Sequence, residues 1–214
     1  MRTLDWYFDF ISPYAYLQCA RFPVLPAGIQ VLRKPVLLSA LLDHAGTLGP
    51  AEIPGKREFT YSQVLWLARR SGVPLRLPPR HPFNPLSALR LAVALGASPE
   101  TVRRVFDFIW AEGRDPSDPT EFAALADQLK IEAAEARIAD PLVKAGLKSN
   151  TDEAIAAGAW GVPTFVIDGR CFWGFDAGDM LLDYLADPSL FSTAEHARLA
   201  HLPGIVRRRR REEP

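Results

Sequence analysis

The chain lacks a closely spaced cysteine pair. Its only two cysteines among 214 residues, Cys19 and Cys171, lie far apart and do not form a Cys-x-x-Cys spacing. In a reducing compartment this composition indicates two buried free thiols rather than a redox pair.

The chain also lacks net charge, because Lys and Arg together number 25 and Asp and Glu together number 25. This balance gives no electrostatic reason to expect a nucleic-acid or membrane partner. The local exception is an arginine run at residues 207–211, followed at once by Glu212 and Glu213, which we interpret as a solvated tail.

Long apolar runs are missing as well, since none approaches the ~18 residues needed to span a bilayer. Asp5 and Asp9 interrupt the apolar segment that a secretory signal would need. We therefore expect a cytoplasmic protein, with one large domain or one domain that carries an insertion.

The sequence opens with a strand–helix–strand pattern. Residues 4–10 alternate and are rich in aromatic side chains, which predicts a strand. Ser12 is a favoured N-cap and Pro13 a favoured first helical residue, so a helix is predicted from there to about Phe22. Residues 28–35 predict a second strand.

The middle of the chain, residues 38–145, shows helical patterns and no convincing strand. Three helix starts are marked by a cap residue followed by proline: Asn84-Pro85, Ser98-Pro99 and Asp118-Pro119. Residues 74–85 are rich in proline and predict a loop. Strand character returns at 164–167 and 171–173, with an Asp-Gly hairpin turn between them, and a last helix is predicted over 177–185.

This order of elements is β-α-β, a helical block, and then β-β-α. It predicts an α/β protein with a thioredoxin-like fold that is interrupted by an all-helical insertion. We expect residues 1–37 and 146–187 to form the thioredoxin-like domain and residues 38–145 to form the helical insertion domain. Residues 188–214 are expected to be a C-terminal extension with a basic tail.

Proteins of this fold place their chemistry at the N-terminus of the first helix, opposite a loop that holds a cis-proline. Ser12 and Ala15 stand where a disulfide oxidoreductase would have its two cysteines, which excludes dithiol chemistry there. Val162-Pro163 is the matching loop. A helix N-terminus favours an anion, and thiols of pKa about 8.5 fall to roughly 3.5–7.5 in such settings. The residues alone leave a plain helix cap as the alternative for Ser12.

Three segments resemble the motifs of one known family. They are FDFISPYAYL at residues 8–17, GVPTF at 161–165 and FWGFD at 172–176, here called the first, second and third motifs. In this order and spacing they resemble the 2-hydroxychromene-2-carboxylate isomerases and the related kappa-class glutathione transferases. The resemblance covers nearly the whole chain and stops around residue 188.

The resemblance implies that glutathione is bound by residues of all three motifs: Ser12, Val162, Pro163, Trp173, Gly174, Phe175 and Asp176. Ser12 would be the catalytic residue and would donate its hydroxyl hydrogen to the glutathione sulfur. Val162 would pair its backbone with the cysteinyl part of glutathione, and Asp176 would bind the γ-glutamyl ammonium group. An ordinary trans-proline turn and a simple helix cap are the alternatives for Val162-Pro163 and Asp176.

The sequence departs from the family pattern where the isomerases bind the carboxylate of their substrate. Their lysine and Asn-Arg pair fall here at Leu42 and at Glu52-Ile53, which cannot bind a carboxylate. Four other polar residues are the candidates for substrate binding: Lys56, Arg57, His81 and Asn84. A helix cap is the alternative for Asn84, and a plain loop residue is the alternative for His81.

The resemblance therefore implies a glutathione-dependent isomerase that acts on 2-hydroxychromene-2-carboxylate or a similar intermediate of aromatic catabolism. Its thiolate would add to the substrate, allow a bond to rotate and then leave. A kappa-like transferase that releases the adduct and a non-catalytic glutathione-binding protein are the alternatives. The expected partner is a small electrophile, the family implies a homodimer, and no histidine pairing suggests a metal site.

Overall fold

A computed structural model of the chain describes residues 2–22, 25–199 and 201–204. Its centre is a mixed four-stranded sheet with the order β2-β1-β3-β4. The strands are β1 (Arg2–Phe8), β2 (Ile29–Pro35), β3 (Thr164–Ile167) and β4 (Arg170–Trp173). Strand β1 is parallel to β2 and antiparallel to β3, and β3 forms a hairpin with β4. The thioredoxin-like α/β fold predicted from the sequence is confirmed.

Ten helices lie within the described residues. They are α1 (Pro13–Cys19), α2 (Leu38–Ala45), α3 (Lys56–Ser71), α4 (Leu86–Ala94), α5 (Pro99–Phe106), α6 (Pro119–Gln128), α7 (Ala134–Ala139), α8 (Pro141–Ala156), α9 (Ala177–Ala186) and α10 (Ala194–Leu199). Short 3-10 turns occur at Pro50–Glu52 and Pro188–Phe191, and a π turn at Asp107–Ala111 continues α5 directly. No strand interrupts the described part of the helical block, as predicted. No helix there is both long and apolar enough to cross a membrane.

Local capping explains several of the helix starts. The side chains of Ser98, Asp118 and Asp140 each accept a backbone N–H in the first turn of the helix that follows, and a proline occupies the first position of each. Asn84 differs, because its carbonyl oxygen accepts the N–H of Leu86 and α4 begins one residue later than predicted.

Two predicted boundaries are wrong. Strand β1 ends at Phe8 rather than at residue 10, because the Asp9 carboxylate accepts the N–H of Ile11 and turns the chain. Helix α1 ends at Cys19 rather than near Phe22, because the N–H of Arg21 bonds to the carbonyl of Gln18 and tightens the last turn.

The two faces of the sheet face different clusters of buried side chains. Trp6 and Phe8 belong to the main core, where the ring of Phe106 from α5 lies 5.6 Å from that of Phe8. Tyr7, which points to the other face, belongs to a smaller cluster with Val162. The main core thus joins the sheet to the helical block. Helix α8 is continuous across residues 145 and 146, where the sequence predicts the domain boundary.

Both cysteines are free, and neither lies beside Ser12 in a redox pair. Burial raises the pKa of the Cys19 thiol to about 11 and also raises that of Cys171. These thiols are therefore protonated at neutral pH. The expected basic tail lies outside the described residues.

Candidate active site

Ser12 is the N-cap of α1. Its backbone is extended, and its Oγ accepts the N–H of Ala15 at 3.2 Å. The residue is only 6% exposed, and its hydroxyl hydrogen has no acceptor among the described residues. Capping uses a lone pair of the oxygen and leaves the hydrogen free, so a cap and a hydrogen-bond donor are compatible roles for this side chain.

The chain immediately before it, residues 9–12, forms what we call the Ser12 turn. The N–H of Ser12 bonds to the carbonyl of Asp9 at 3.1 Å. The Asp9 carboxylate is completely buried and accepts the N–H groups of Ile11 at 3.1 Å and Leu38 at 2.9 Å. Burial raises the pKa of Asp9 to about 7, although these backbone donors oppose the rise.

Two side chains of the helical block also bond to the Ser12 turn. Trp110 Nε1 donates to the carbonyl of Phe10 at 2.9 Å, and His81 Nε2 lies 2.8 Å from the carbonyl of Ile11. Sequence reasoning missed Trp110, which lies in the π turn and is fully buried. Its sequence surroundings are those of an ordinary buried aromatic residue and give no sign of this bond.

The second motif lies at the same end of the sheet. Tyr7 pairs with Thr164 in the antiparallel register, so the end of β1 and the start of β3 are neighbours. The Val162-Pro163 peptide bond is cis, as the resemblance implies, and not the trans turn of the alternative. Neither the amide nor the carbonyl of Val162 has a hydrogen-bond partner within the described ranges. Val162 therefore has a free backbone donor and acceptor.

Gln18 connects α1 to the third motif. Its amide nitrogen donates to the carbonyl of Gly174 at 3.0 Å, and its carbonyl oxygen accepts the indole N–H of Trp6 at 2.8 Å. The N–H of Gly174 in turn bonds to the carbonyl of Pro163 at 2.8 Å. These bonds bring the three motifs together. The signal in the sequence was a glutamine among the apolar residues of a short helix.

The third motif presents side chains at the surface. The ring of Trp173 is half-exposed and lies 5.8 Å from that of Trp160. Asp176 is exposed and occupies the N-cap position of α9, but its side chain makes no cap hydrogen bond to that helix. Burial, and to a smaller degree the charge of Asp176, raises the pKa of Tyr14 in the first motif. The guanidinium of Arg21 lies over the ring of Phe175.

Helix α3 lies beside the first motif. The hydroxyl of Tyr14 donates to the Gln63 side chain at 2.5 Å, which ties α1 to α3. At the start of α3, Arg57 donates to the carbonyl of His81 at 2.8 Å, whereas the side chain of Lys56 is exposed and forms no hydrogen bond or ion pair with a described residue. The structure thus brings Arg57 and His81 together near Ser12.

Asn84 and two of the positions that depart from the family pattern, Leu42 and Glu52, have local roles. The side chain of Asn84 holds the start of α4, which is the cap role left open by the sequence. Glu52 accepts the N–H of Gly49 at 2.6 Å, and the Leu42 side chain lies against the same glycine. These contacts stabilise the turn before α3. Neither Leu42 nor Glu52 supplies a cation that could bind a carboxylate.

A cavity of about 600 Å³ lies elsewhere, between β4, α9 and α10, and Cys171 and His196 line part of it. None of the residues around it belongs to the first or second motif. The described residues contain no group of three His, Cys, Asp or Glu side chains that could hold a metal ion. The candidate site is therefore the region where the three motifs meet.

Known proteins share this arrangement of sequence and fold. The chain is similar to 2-hydroxychromene-2-carboxylate isomerase of Sphingobium xenophagum, with 28% identity over 87% of this chain and 99% of that protein. It is also 28% identical to glutathione S-transferase kappa 1 of Rattus norvegicus, over 86% of this chain and 90% of the transferase. A solved 2-hydroxychromene-2-carboxylate isomerase has a TM-score of 0.75 at 23% identity, with 93% of this chain and 98% of that chain covered.

The model of the DsbA-like thioredoxin domain matches residues 3–186, which include all three motifs and the helical block. The match covers well over half of the chain, and it agrees with the sheet order and with the cis-proline loop. The chain belongs to the DsbA-like thioredoxin domain family.

Proposed function

We propose that the protein is a glutathione-dependent isomerase in which Ser12 stabilises the glutathione thiolate. The observation that carries this proposal is the Ser12 hydroxyl, nearly buried, with a hydrogen that has no acceptor within the described part of the chain. Relatives that are named as isomerases and kappa-class glutathione transferases support it.

Glutathione would bind along the second and third motifs. The unpaired amide and carbonyl of Val162, fixed by Pro163, are suited to a short backbone pairing with its cysteinyl part. Trp173, Gly174, Phe175 and Asp176 would surround the γ-glutamyl end. Because Asp176 has no cation among the described residues, its carboxylate is available to the ammonium group.

Ser12 would contribute more to the thiolate than the helix dipole does. Helix α1 is only seven residues long, so its dipole is short. A hydrogen bond to a charged group contributes about 1.5–3 kcal/mol. A fall of two units in the thiol pKa corresponds to about 2.7 kcal/mol, which is within the reach of one hydroxyl together with a helix end.

The reaction conserves glutathione. Its thiolate forms a carbon–sulfur bond to an electron-poor carbon conjugated with a carbonyl, and the double bond becomes a single bond that can rotate. Loss of the thiolate then re-forms the double bond in the isomer. Arg57 is the cation best placed for an aromatic carboxylate, since it contacts the His81 carbonyl near Ser12. Lys56, His81 and Asn84 are the remaining candidates for contact with the substrate.

A kappa-type transferase is the second candidate. It is favoured by the equal identity of the rat kappa relative and by Leu42 and Glu52, which supply no cation for a carboxylate. A product assay separates the two, because an isomerase leaves glutathione unconsumed and a transferase forms a stable conjugate. We further propose a homodimer, on the resemblance alone, and a cytoplasmic location, which agrees with the two free cysteines.

The test is to titrate glutathione with the wild-type chain and with Ser12→Ala and to follow thiolate absorbance against pH. Ser98→Ala is a matched control, because Ser98 also caps a helix whose first residue is proline. Each change should lower the free energy of unfolding by about 1 kcal/mol through the lost cap. Only Ser12→Ala should lose most of the thiolate signal while keeping much of the binding. An unchanged thiolate signal in Ser12→Ala would refute the proposal.

A further inference from the structure

The two carbonyl groups that precede Ser12 are both hydrogen-bonded to side chains of the helical block. Trp110 Nε1 is 2.9 Å from the oxygen of Phe10, and His81 Nε2 is 2.8 Å from the oxygen of Ile11. The first pair is separated by 100 residues of sequence and the second by 70. Two distant segments of the insertion thus meet at consecutive peptide groups of the Ser12 turn.

Both donors are held firmly by their own surroundings. Trp110 is completely buried, and its backbone carbonyl accepts the N–H of Arg76 at 2.6 Å. The rings of His81 and Trp110 meet edge to face with centroids 5.4 Å apart. Arg57 donates to the carbonyl of His81, and the Tyr61 hydroxyl lies 2.9 Å from Nδ1 of the His81 ring. Neither side chain can leave its carbonyl without disturbing these contacts.

The chemistry of the contacts assigns the proton on His81. A carbonyl oxygen can only accept, so Nε2 carries a hydrogen. The Tyr61 hydroxyl lies 2.9 Å from Nδ1 and 3.0 Å from the carbonyl oxygen of His81, so its single hydrogen has two acceptors on this residue. Burial lowers the pKa of His81 against the opposing effect of the hydrogen bond to the Ile11 carbonyl, and the nearby Arg57 charge lowers it further, which favours the neutral ring. The turn therefore receives two neutral donors.

We propose that His81 and Trp110 are positioning residues for Ser12, and that they act by holding the carbonyls of Phe10 and Ile11 away from the sulfur of bound glutathione. A buried carbonyl that loses its donor must find another hydrogen or turn toward solvent. Either change would reshape the turn that ends at Ser12. The carbonyl oxygen is the negative end of the peptide dipole, so its approach to a thiolate would be unfavourable. This proposal rests on the proposed binding of glutathione.

Other charged or titratable groups near the turn are Asp9 within it, Arg57 and Tyr61 on α3, and Asp176 with Tyr14. None of them is substituted in the variants that test the proposal, but His81→Leu also removes the Nδ1 partner of Tyr61. A change in the thiolate titration that Trp110→Phe and His81→Leu share, and that His81→Gln reverses, can therefore be assigned to the two donors.

The experiment measures the pH midpoint of thiolate formation by bound glutathione. Trp110→Phe removes one N–H and keeps an aromatic ring, and His81→Leu removes the other donor. Each should raise the midpoint by about half a unit to one unit, while the glutathione Kd changes less than about threefold. His81→Gln restores a donor at nearly the same reach and should recover most of the wild-type midpoint. Trp66→Phe, at an exposed tryptophan of α3, is the matched control and should leave the midpoint unchanged.

The outcomes separate the two proposals. If wild-type protein forms no glutathione thiolate, the proposed function fails. If wild-type protein forms it and both donor variants titrate at the wild-type midpoint, the positioning role is overturned while the proposed function stands. Should Trp110→Phe fail to fold, the comparison of His81→Leu with His81→Gln decides alone. A loss of thermal stability without a shift in the midpoint would mean that these residues only support the fold.

Discussion

At the scale of single residues, Asp9 illustrates how burial can change a side chain's chemistry. Its carboxyl group has no solvent exposure and lies between the end of β1 and the start of α2. Desolvation raises its pKa to about 7, far above the ordinary value of 3.8, although the N–H groups of Leu38 and Ile11 favour the charged form. The carboxyl group therefore titrates near neutral pH.

This shift predicts that the free energy of unfolding depends on pH. Because the folded-state pKa of Asp9 is raised, the folded protein binds the proton more tightly than the unfolded chain. The contribution of Asp9 to stability is present below pH ~4 and is lost as the pH rises through about 7. Urea unfolding of the wild-type chain and of Asp9→Asn across this window should give a flatter dependence in the variant.

Asp9→Asn also replaces one buried acceptor oxygen with an amide nitrogen, which lowers stability by about 1–3 kcal/mol in addition to the pH-dependent part. The pH slope of the unfolding free energy, rather than its value at one pH, is therefore diagnostic. Asp43→Asn, at an exposed carboxylate on α2, is the control and should keep the wild-type slope. His81 acts in the opposite sense, since its pKa is lowered and its contribution to stability is lost under acid. Parallel slopes for wild type and Asp9→Asn would contradict the prediction.

Residue-level prediction of local structure succeeded where the signal is local. Ser12 is the N-cap of α1 and the Val162-Pro163 bond is cis, as predicted, whereas the roles of these residues in glutathione binding stay predictions. Trp110 was not found, because the carbonyl it bonds belongs to a residue 100 positions away. Asn84 was a candidate for substrate contact with a helix cap as the alternative, and its side-chain oxygen accepts the N–H of Leu86.

At the scale of elements, the loop before β3 places Gly161 so close to the ring of Trp173 that a larger residue would touch it. A Cβ at Gly161 would lie 2.7 Å from Nε1 of Trp173. The φ angle of Gly161 is not in the left-handed region, so the backbone conformation does not itself require glycine. Trp173 is 49% exposed, so its ring has room to move outward. Substitution should therefore displace this ring rather than unfold the loop.

Gly161→Ala is thus predicted to weaken glutathione binding by about three- to tenfold while stability changes by about 0.5 kcal/mol or less. Calorimetric titration and thermal unfolding measure the two effects, and tryptophan fluorescence reports the movement of the ring. Gly204→Ala is the matched control, because nothing lies within 4 Å of a Cβ there. Normal affinity in Gly161→Ala would argue against a role for Trp173 in binding.

Elements were predicted well where caps and prolines mark them. The helices that begin after Ser98 and Asp118 start at the predicted prolines. The π turn was not predicted, because a change from α to π geometry depends on how the neighbouring side chains pack and leaves no local pattern. The early end of α1 likewise depends on one backbone bond between Arg21 and Gln18.

At the scale of the whole molecule, the predicted helical insertion and the predicted thioredoxin-like unit share a core. The ring of Phe106 in α5 lies 4.7 Å from that of Phe10 and 6.1 Å from that of Trp6. All three rings are completely buried. The sequence predicted both units, but it could not show that their aromatic side chains form one cluster, because those contacts join distant segments.

The shared core predicts cooperative unfolding. Phe106→Ala should lower the free energy of unfolding by about 3–5 kcal/mol through the cavity that it leaves. Helix content by circular dichroism and tryptophan fluorescence should still change together in denaturant, since neither unit keeps its core alone. Leu142→Ala, at an exposed position of α8, should cost little and serves as the control. Separate transitions for the two signals would contradict a shared core.

The two edge strands of the sheet, β2 and β4, determine whether the sheet can pair with a strand of another copy of the chain. An outer strand offers unpaired backbone groups that can recruit a strand of another molecule. Strand β2 carries Arg33 and Lys34 and ends at Pro35, and β4 is only four residues long and begins with Arg170. Charged side chains, a proline and a short strand all oppose strand addition, so both edges of the sheet are protected against edge-to-edge aggregation.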